Sequence, residues 1–146
     1  MNIELSTASQ TAPLEVIDLQ VSSRRTAGRS ILSLRFLCRN DRHFDHLHMP
    51  ELSWFDANQL QRFSQDLSMA QHPETCQTDL LDAGLRLTGS VRRLAGTWTT
   101  GRTVRIEPLP SSANQFTPFT IHASHLDVKT YAGKLHSRLW ELFTKG

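Results

Sequence analysis

Apolar and polar residues alternate most cleanly between Ile31 and Arg39. Leu32, Leu34, Phe36 and Cys38 fall on one side of an extended chain, and Ser33, Arg35, Leu37 and Arg39 on the other. Successive side chains of a strand point to opposite faces, so this period of two predicts a strand in a sheet with one wet face. The same period runs from Leu85 to Leu94, with Leu85, Leu87, Gly89 and Val91 inward and Arg86, Thr88, Ser90 and Arg92 outward. From Thr97 to Glu107 the chain reads as a hairpin or two short strands about Thr100 and Gly101, with Val104 and Ile106 inward and Arg105 outward. Phe116 to His122 predicts a last strand, with Phe119 and Ile121 inward.

Other stretches are less regular. Leu14 to Val21 has a mixed pattern, but its β-branched content favours a strand. The polar run SSRRTAGRS after it, with Gly28, reads as a connecting turn. After a turn at Asn40 and Asp41, Phe44, His46 and His48 alternate with Asp45, Leu47 and Met49 until Pro50. Proline cannot donate to a central ladder, so this is expected to be an edge strand. Cys76 to Leu81 predicts a short strand, and Asp82, Ala83 and Gly84 a turn.

Two segments change to helical spacing. Asp56 reads as an N-cap, with Gln59 three residues on and Phe55 placed to pack against Leu60. Leu60, Phe63 and Leu67 form a stripe that should fade before Pro73. Near the C-terminus, Ser124 or Asp127 caps a helix with Val128, Tyr131, Leu135, Leu139 and Leu142 along one face, widened by Trp140 and Phe143. Strands, a helix, more strands and a second helix predict an α+β fold. It is a twisted, mostly antiparallel sheet of about five or six strands with two helices packed on one face.

The chain has 146 residues, enough for one core. Residues 1–13 are rich in Ser, Thr, Gln and Ala and read as a loose N-terminal arm; 14–146 read as a single domain. The arm lacks the charged start and apolar run of a secretory signal. No stretch approaches the roughly 18 apolar residues of a membrane span, so a cytoplasmic location and no membrane partner are expected. Cys38 and Cys76 are too few and too far apart for a disulfide framework or a zinc knuckle, and read as free, half-buried thiols.

Net charge is only +2, but its distribution is uneven. Thirteen of the 16 basic residues are Arg. Six lie between Arg24 and Arg42 against one acid, and five between Gly84 and Ile106 against none. Guanidinium groups fork onto carboxylates and phosphates, which suits an interaction surface. The strand pattern puts Arg35, Arg39, Arg86, Arg92 and Arg105 on the sheet's wet face. RNA-binding sheets interleave stacking aromatics with such charges, whereas Phe36, Phe63 and Phe119 here fall on core positions.

His43, His46 and His48 form the one eye-catching cluster. On a strand His46 and His48 share a side, as in His-x-His metal sites, and Asp45, His72, His122 or His125 would have to supply a third ligand. The plainer reading is a polar edge strand. Ser124, His125 and Asp127 are neighbours in sequence, but a triad needs convergence in space, and a helix cap explains them better. No nucleophile elbow, phosphate loop or zinc spacing is present. Trp54 is expected to pack under the first helix cap, and Trp98 to lie at a hairpin end.

The Trp54-Phe55-Asp56 start with Leu60, Phe63 and Leu67, the strands LRLTGSVRRL and TVRIEP, and the closing run FTIHASHLDVKTYAGKL are similar in order and spacing to a group of small bacterial proteins that includes WapI-type immunity proteins. That resemblance implies a non-catalytic protein that binds and blocks a toxin, and it transfers no catalytic residue. The expectation is therefore a cytoplasmic protein-binding module without cofactor or metal, meeting an acidic partner through Arg35, Arg39, Arg86, Arg92, Arg105, His46 and His48. One alternative is a nucleic-acid-binding accessory protein using the Arg face. Another is a metal-dependent enzyme using His43, His46 and His48. Edge strands also invite self-pairing, which makes a homodimer a further expectation.

Overall fold

A computed structural model describes residues 2–4, 14–26, 28–40, 43–93, 100–113 and 115–145. Trp98 and the Ala95-Gly96 strand end lie outside them. Strands β1 (Asn2–Glu4), β2 (Leu14–Thr26), β3 (Arg29–Asn40), β4 (His43–His48) and β5 (Leu52–Ser53) precede helix α1 (Trp54–Met69). Strands β6 (Thr75–Leu80), β7 (Leu85–Arg93), β8 (Thr100–Pro108) and β9 (Phe119–Ser124) precede helix α2 (His125–Lys145). The architecture is α+β. Among the described residues nine strands form one sheet in the order β1-β4-β3-β2-β9-β8-β7-β6, with β5 beside β3. The pairings β1/β4 and β2/β9 are parallel and the others antiparallel.

The inward positions read from β3, β7 and β9 are buried or packed on the core, and they meet the stripes Leu60-Phe63-Leu67 and Val128-Tyr131-Leu135-Leu139. Both helices cover the same face of the sheet. Gly89 lets α1 come close to β7: a Cβ there would stand 2.9 Å from both Leu67 Cδ1 and Phe63 Cζ.

Several expectations are corrected. The mixed pattern of β2 comes from a bulge between Val16 and Asp18. One extra residue moves the inward set from Leu14 and Val16 to Leu19 and Val21. SSRRTAGRS is not a connecting turn, because pairing with β3 carries the strand on to Thr26 opposite Arg29, and the chain reverses at Gly28 with φ 76°. β4 is not an edge strand, since β1 lies beside it with Asn2 opposite His46. Those three residues of the expected arm are therefore in the sheet, and residues 5–13 lie outside the described ones. β8 is one strand from Thr100 to Pro108, residues 97–99 of the expected hairpin or strand pair lie outside the described ones, and β9 begins at Phe119 and runs through Ser124.

The helix starts also differ. Ser53 is the N-cap of α1 and accepts from the Asp56 amide at 3.2 Å. Asp56 sits inside the first turn, fully buried, and accepts the amide hydrogens of Ala83 (2.8 Å) and Asp82 (3.4 Å) in the β6–β7 turn. Burial first, then Asp82's charge, raises its pKa, and those amides pull it back. Phe55 is 52% exposed and Trp54 37%, so neither is a core residue. Trp140 is exposed and does not widen the α2 stripe. Ser124 takes the cap position of α2, accepting from the Asp127 amide at 3.1 Å.

The two meanders meet over a short seam. β2 pairs with β9 through Leu14 opposite Ile121 and Glu15 opposite His122. Farther along β2, side chains of α2 meet its free edge. Lys134 Nζ donates to Leu19 O at 3.0 Å and Arg138 Nη2 to Val21 O at 3.3 Å. A helix thus covers the part of the edge that a neighbouring strand leaves open.

Candidate binding face of the sheet

The face away from the helices is built by register. Arg39 stands opposite Phe44 on one side and Glu15 on the other. Glu15 stands opposite His122, His122 opposite Thr103, and Thr103 opposite Ser90. This row crosses the seam and joins the two meanders on one surface. In parallel rows, Arg35 lies between His48 and Gln20, Leu37 between His46 and Asp18, and Arg86 between Asp79 and Glu107. Arg105 lies between Thr88 and Thr120.

All five arginines singled out from the sequence therefore share this face with His46 and His48. Their neighbours divide them. Arg39 Nη2 pairs with Glu15 at 2.6 Å, and Arg86 Nε with Asp79 at 2.9 Å. The Arg86 hydrogen bonds hold the Asp79 carboxyl below its ordinary pKa. Arg35 Nε donates to the neutral amide oxygen of Gln20 at 2.9 Å. Among the described residues no carboxylate pairs with Arg35, Arg92 or Arg105.

Arg92 lies flat across the next strand. A Cβ on Gly101 would come within 3.1 Å of Arg92 Nη2 and 3.2 Å of Nε, so the absence of a side chain at Gly101 makes room for the guanidinium. Its Nε is buried without a hydrogen-bond partner. Burial first, then the Arg92 charge, lowers the pKa of His122, and Glu15 opposes the shift. The seam is therefore a linked charge track of Arg39, Glu15, His122 and Arg92.

The candidate metal cluster divides across the strand. His46 and His48 are on the open side, while Asp45 is buried on the core side opposite Cys38. His125 is taken by the Ser68 carbonyl at 2.7 Å. Among the described residues no group of three or more His, Cys, Asp or Glu side chains is placed to hold a metal ion. Both thiols are free. Burial, helped by Asp45, pushes Cys38 up to about 12, and burial first also raises Cys76. A thiol held protonated in this way is a poor nucleophile.

Arg102 belongs to no candidate site read from the sequence. It is 3% exposed, on the helix side of β8, and donates to Leu67 O (2.7 Å), Ala70 O (3.1 Å) and Ser68 O (3.3 Å) at the end of α1. α1 has no basic residue in its own last turn, so the sheet supplies the cation that suits a helix C-terminus. The signal was present, because Arg102 has the same parity as the inward Val104 and Ile106.

No protein-family model matches the chain, and no curated protein matches it. Among solved structures, the crystal structure of WHY1 from Arabidopsis thaliana aligns over 88% of this chain and 81% of that one, at 13% identity and a TM-score of 0.39. The likeness is too slight to transfer a fold or a ligand. No helix among the described residues is long and apolar enough to cross a membrane.

Proposed function

We propose that the protein is a non-catalytic binding module whose open sheet face takes an acidic protein partner. The carrying observation is that Arg35, Arg92 and Arg105 share one uncovered face and have no carboxylate partner among the described residues. A partner's carboxylates would supply them. Arg39 and Arg86 hold part-exposed pairs that can exchange with a partner's acids, and His46 and His48 extend the same surface. The protonated thiols and the divided histidine cluster support a role without catalysis. An immunity-type inhibitor that masks a toxin in the cytoplasm is the form of this reading that the WapI resemblance suggests. Phe44 lies at the margin of the face and, among the described residues, the rows inward of it carry no aromatic, which favours a protein over single-stranded nucleic acid.

The test compares the wild-type chain with Arg35→Glu/Arg105→Glu, both tagged, in capture from native lysate with and without nuclease. A stoichiometric protein retained after nuclease by the wild type, and reduced at least about tenfold by a double charge reversal, is the expected result. Recovery of nucleic acid alone, lost on nuclease treatment, would overturn the proposal and assign the face to phosphates.

A further inference from the structure

Among the described residues, β6 closes one end of the sheet and is paired on its inner side only, with β7. Alternate N–H and C=O groups of such a strand point away from the sheet and are ready to pair with another strand. β6 carries little that would prevent this. Its sequence TCQTDL holds no Pro and no Lys, and its one charge, Asp79, is held by Arg86 Nε of the neighbouring strand at 2.9 Å. The strand at the other end, β1, is only three residues long.

Helix α1 overlooks the β6 edge. After α1 the chain reverses, with Glu74 N donating to Gln71 O at 2.7 Å, and β6 runs back against the helix. A groove between them is lined by Arg62, Phe63 and Asp66 from α1 and by Thr75, Cys76 and Thr78 from β6. Asp66 lies toward the Cys76 end, where its charge adds to burial in raising the thiol pKa. Arg62 is one turn earlier in a helix that runs the other way, and so lies toward the Thr78 end. Both side chains are exposed, and among the described residues neither belongs to an ion pair.

A two-fold axis perpendicular to the sheet, passing beside the middle of β6, brings a second β6 antiparallel to the first. Both copies of α1 then lie on the same side of the joined sheet, antiparallel across the axis. Asp66 of one copy faces Arg62 of the other, and the pairing occurs twice. A patch that complements itself in this way is what an isologous contact requires. Paired strands stand about 4.8 Å apart and packed helices about 8–10 Å apart, a gap that an Arg side chain spans. We propose that the β6 edge and the Arg62–Asp66 face of α1 form a dimer interface with a second copy of this chain. An unrelated extended peptide would gain the strand hydrogen bonds but not the two crossed ion pairs. Dimerisation makes the sheet continuous and sets the open faces of both copies side by side, but it does not depend on the function proposed for that face.

Sedimentation equilibrium of the full chain over a concentration series tests this. The mass should rise reversibly from 16.6 kDa toward twice that value. Asp66→Arg sets like charges against each other across the axis and should weaken dimerisation at least about tenfold. Arg62→Glu/Asp66→Arg exchanges the two signs and should restore it to within about threefold of wild type, a recovery that a folding defect would not give. Arg35→Glu/Arg105→Glu, on the open face, should leave it unchanged. A wild type that stays monomeric overturns the proposal. So does a dimer that Asp66→Arg leaves intact, or a loss that the exchanged pair does not restore. Loss of the dimer in Arg35→Glu/Arg105→Glu would place the contact on the open face and overturn it as well.

Discussion

Arg102 and Arg105 are three residues apart on β8 and occupy opposite environments. Arg102, on the helix side, meets three carbonyls at the end of α1. Arg105, on the open side, is exposed between two threonines and has no carboxylate partner among the described residues. The first is a structural part, because a helix end has carbonyls that need donors and a buried guanidinium needs acceptors. The second is free to serve a partner. A count of arginines does not separate these roles; parity along the strand does, once it is known what covers each face.

The largest expected effect tests the helix side. Arg102→Leu removes the guanidinium from the Leu67, Ser68 and Ala70 carbonyls, and a loss of about 3 kcal/mol is expected from part-buried polar groups left unmet. Urea denaturation should show it as a lower midpoint at constant slope. Arg102→Lys should recover only part of the loss, because an ammonium cannot reach the separate carbonyls with a rigid fork. If Arg102→Leu changed the midpoint no more than a surface substitution, the contrast between the two faces would fail.

On the open side the expected effect is smaller. Arg39 and Glu15 are 47% and 56% exposed at their side chains, and pairs of that kind contribute below about 1 kcal/mol. A double-mutant cycle with Arg39→Ala and Glu15→Ala should find coupling in that range, weakening as salt is added. Coupling well above it would mean that the pair braces the seam between the meanders and is not exchangeable with a partner's acids.

The parts of this molecule readable in advance are those governed by local period. Leu32 to Cys38, Leu85 to Val91 and the stripe Leu60-Phe63-Leu67 follow from one-dimensional spacing, and so does the shared side of Arg35, Arg86 and Arg105. What escaped depends on distant neighbours. The polar run after Val21 is a strand because β3 pairs with it, not because of its composition. Asp56 looked like a cap, but Ser53 takes that role, and a turn 26 residues away draws the Asp56 carboxylate inside. The neutralisation of Arg39 depends on a register with Glu15 that no local pattern encodes. The open face was therefore legible as a set of residues, but not as a balance of charge.

The smallest expected effect reports that balance directly. His122 sits at the seam with its pKa lowered from the ordinary 6.5, first by burial and then by Arg92. Below pH 6.5 the unfolded chain takes up the proton more readily than the folded one. The stability His122 contributes is therefore complete above pH 6.5 and is lost as pH falls toward its lower folded value. Denaturation midpoints measured from pH 7.5 to 5 should fall more steeply for the wild type than for His122→Gln. Arg92→Gln in the wild-type chain should remove part of that difference, because it deletes the charge and leaves the burial. If Arg92→Gln leaves the slope unaltered, burial alone sets His122, and Arg92 is not felt at the seam. If the slope relaxes, the uncompensated charge reaches across β8. An acidic partner seated on the face would then raise the His122 pKa, so complex formation near pH 6 should take up protons, measurable as buffer-dependent heat.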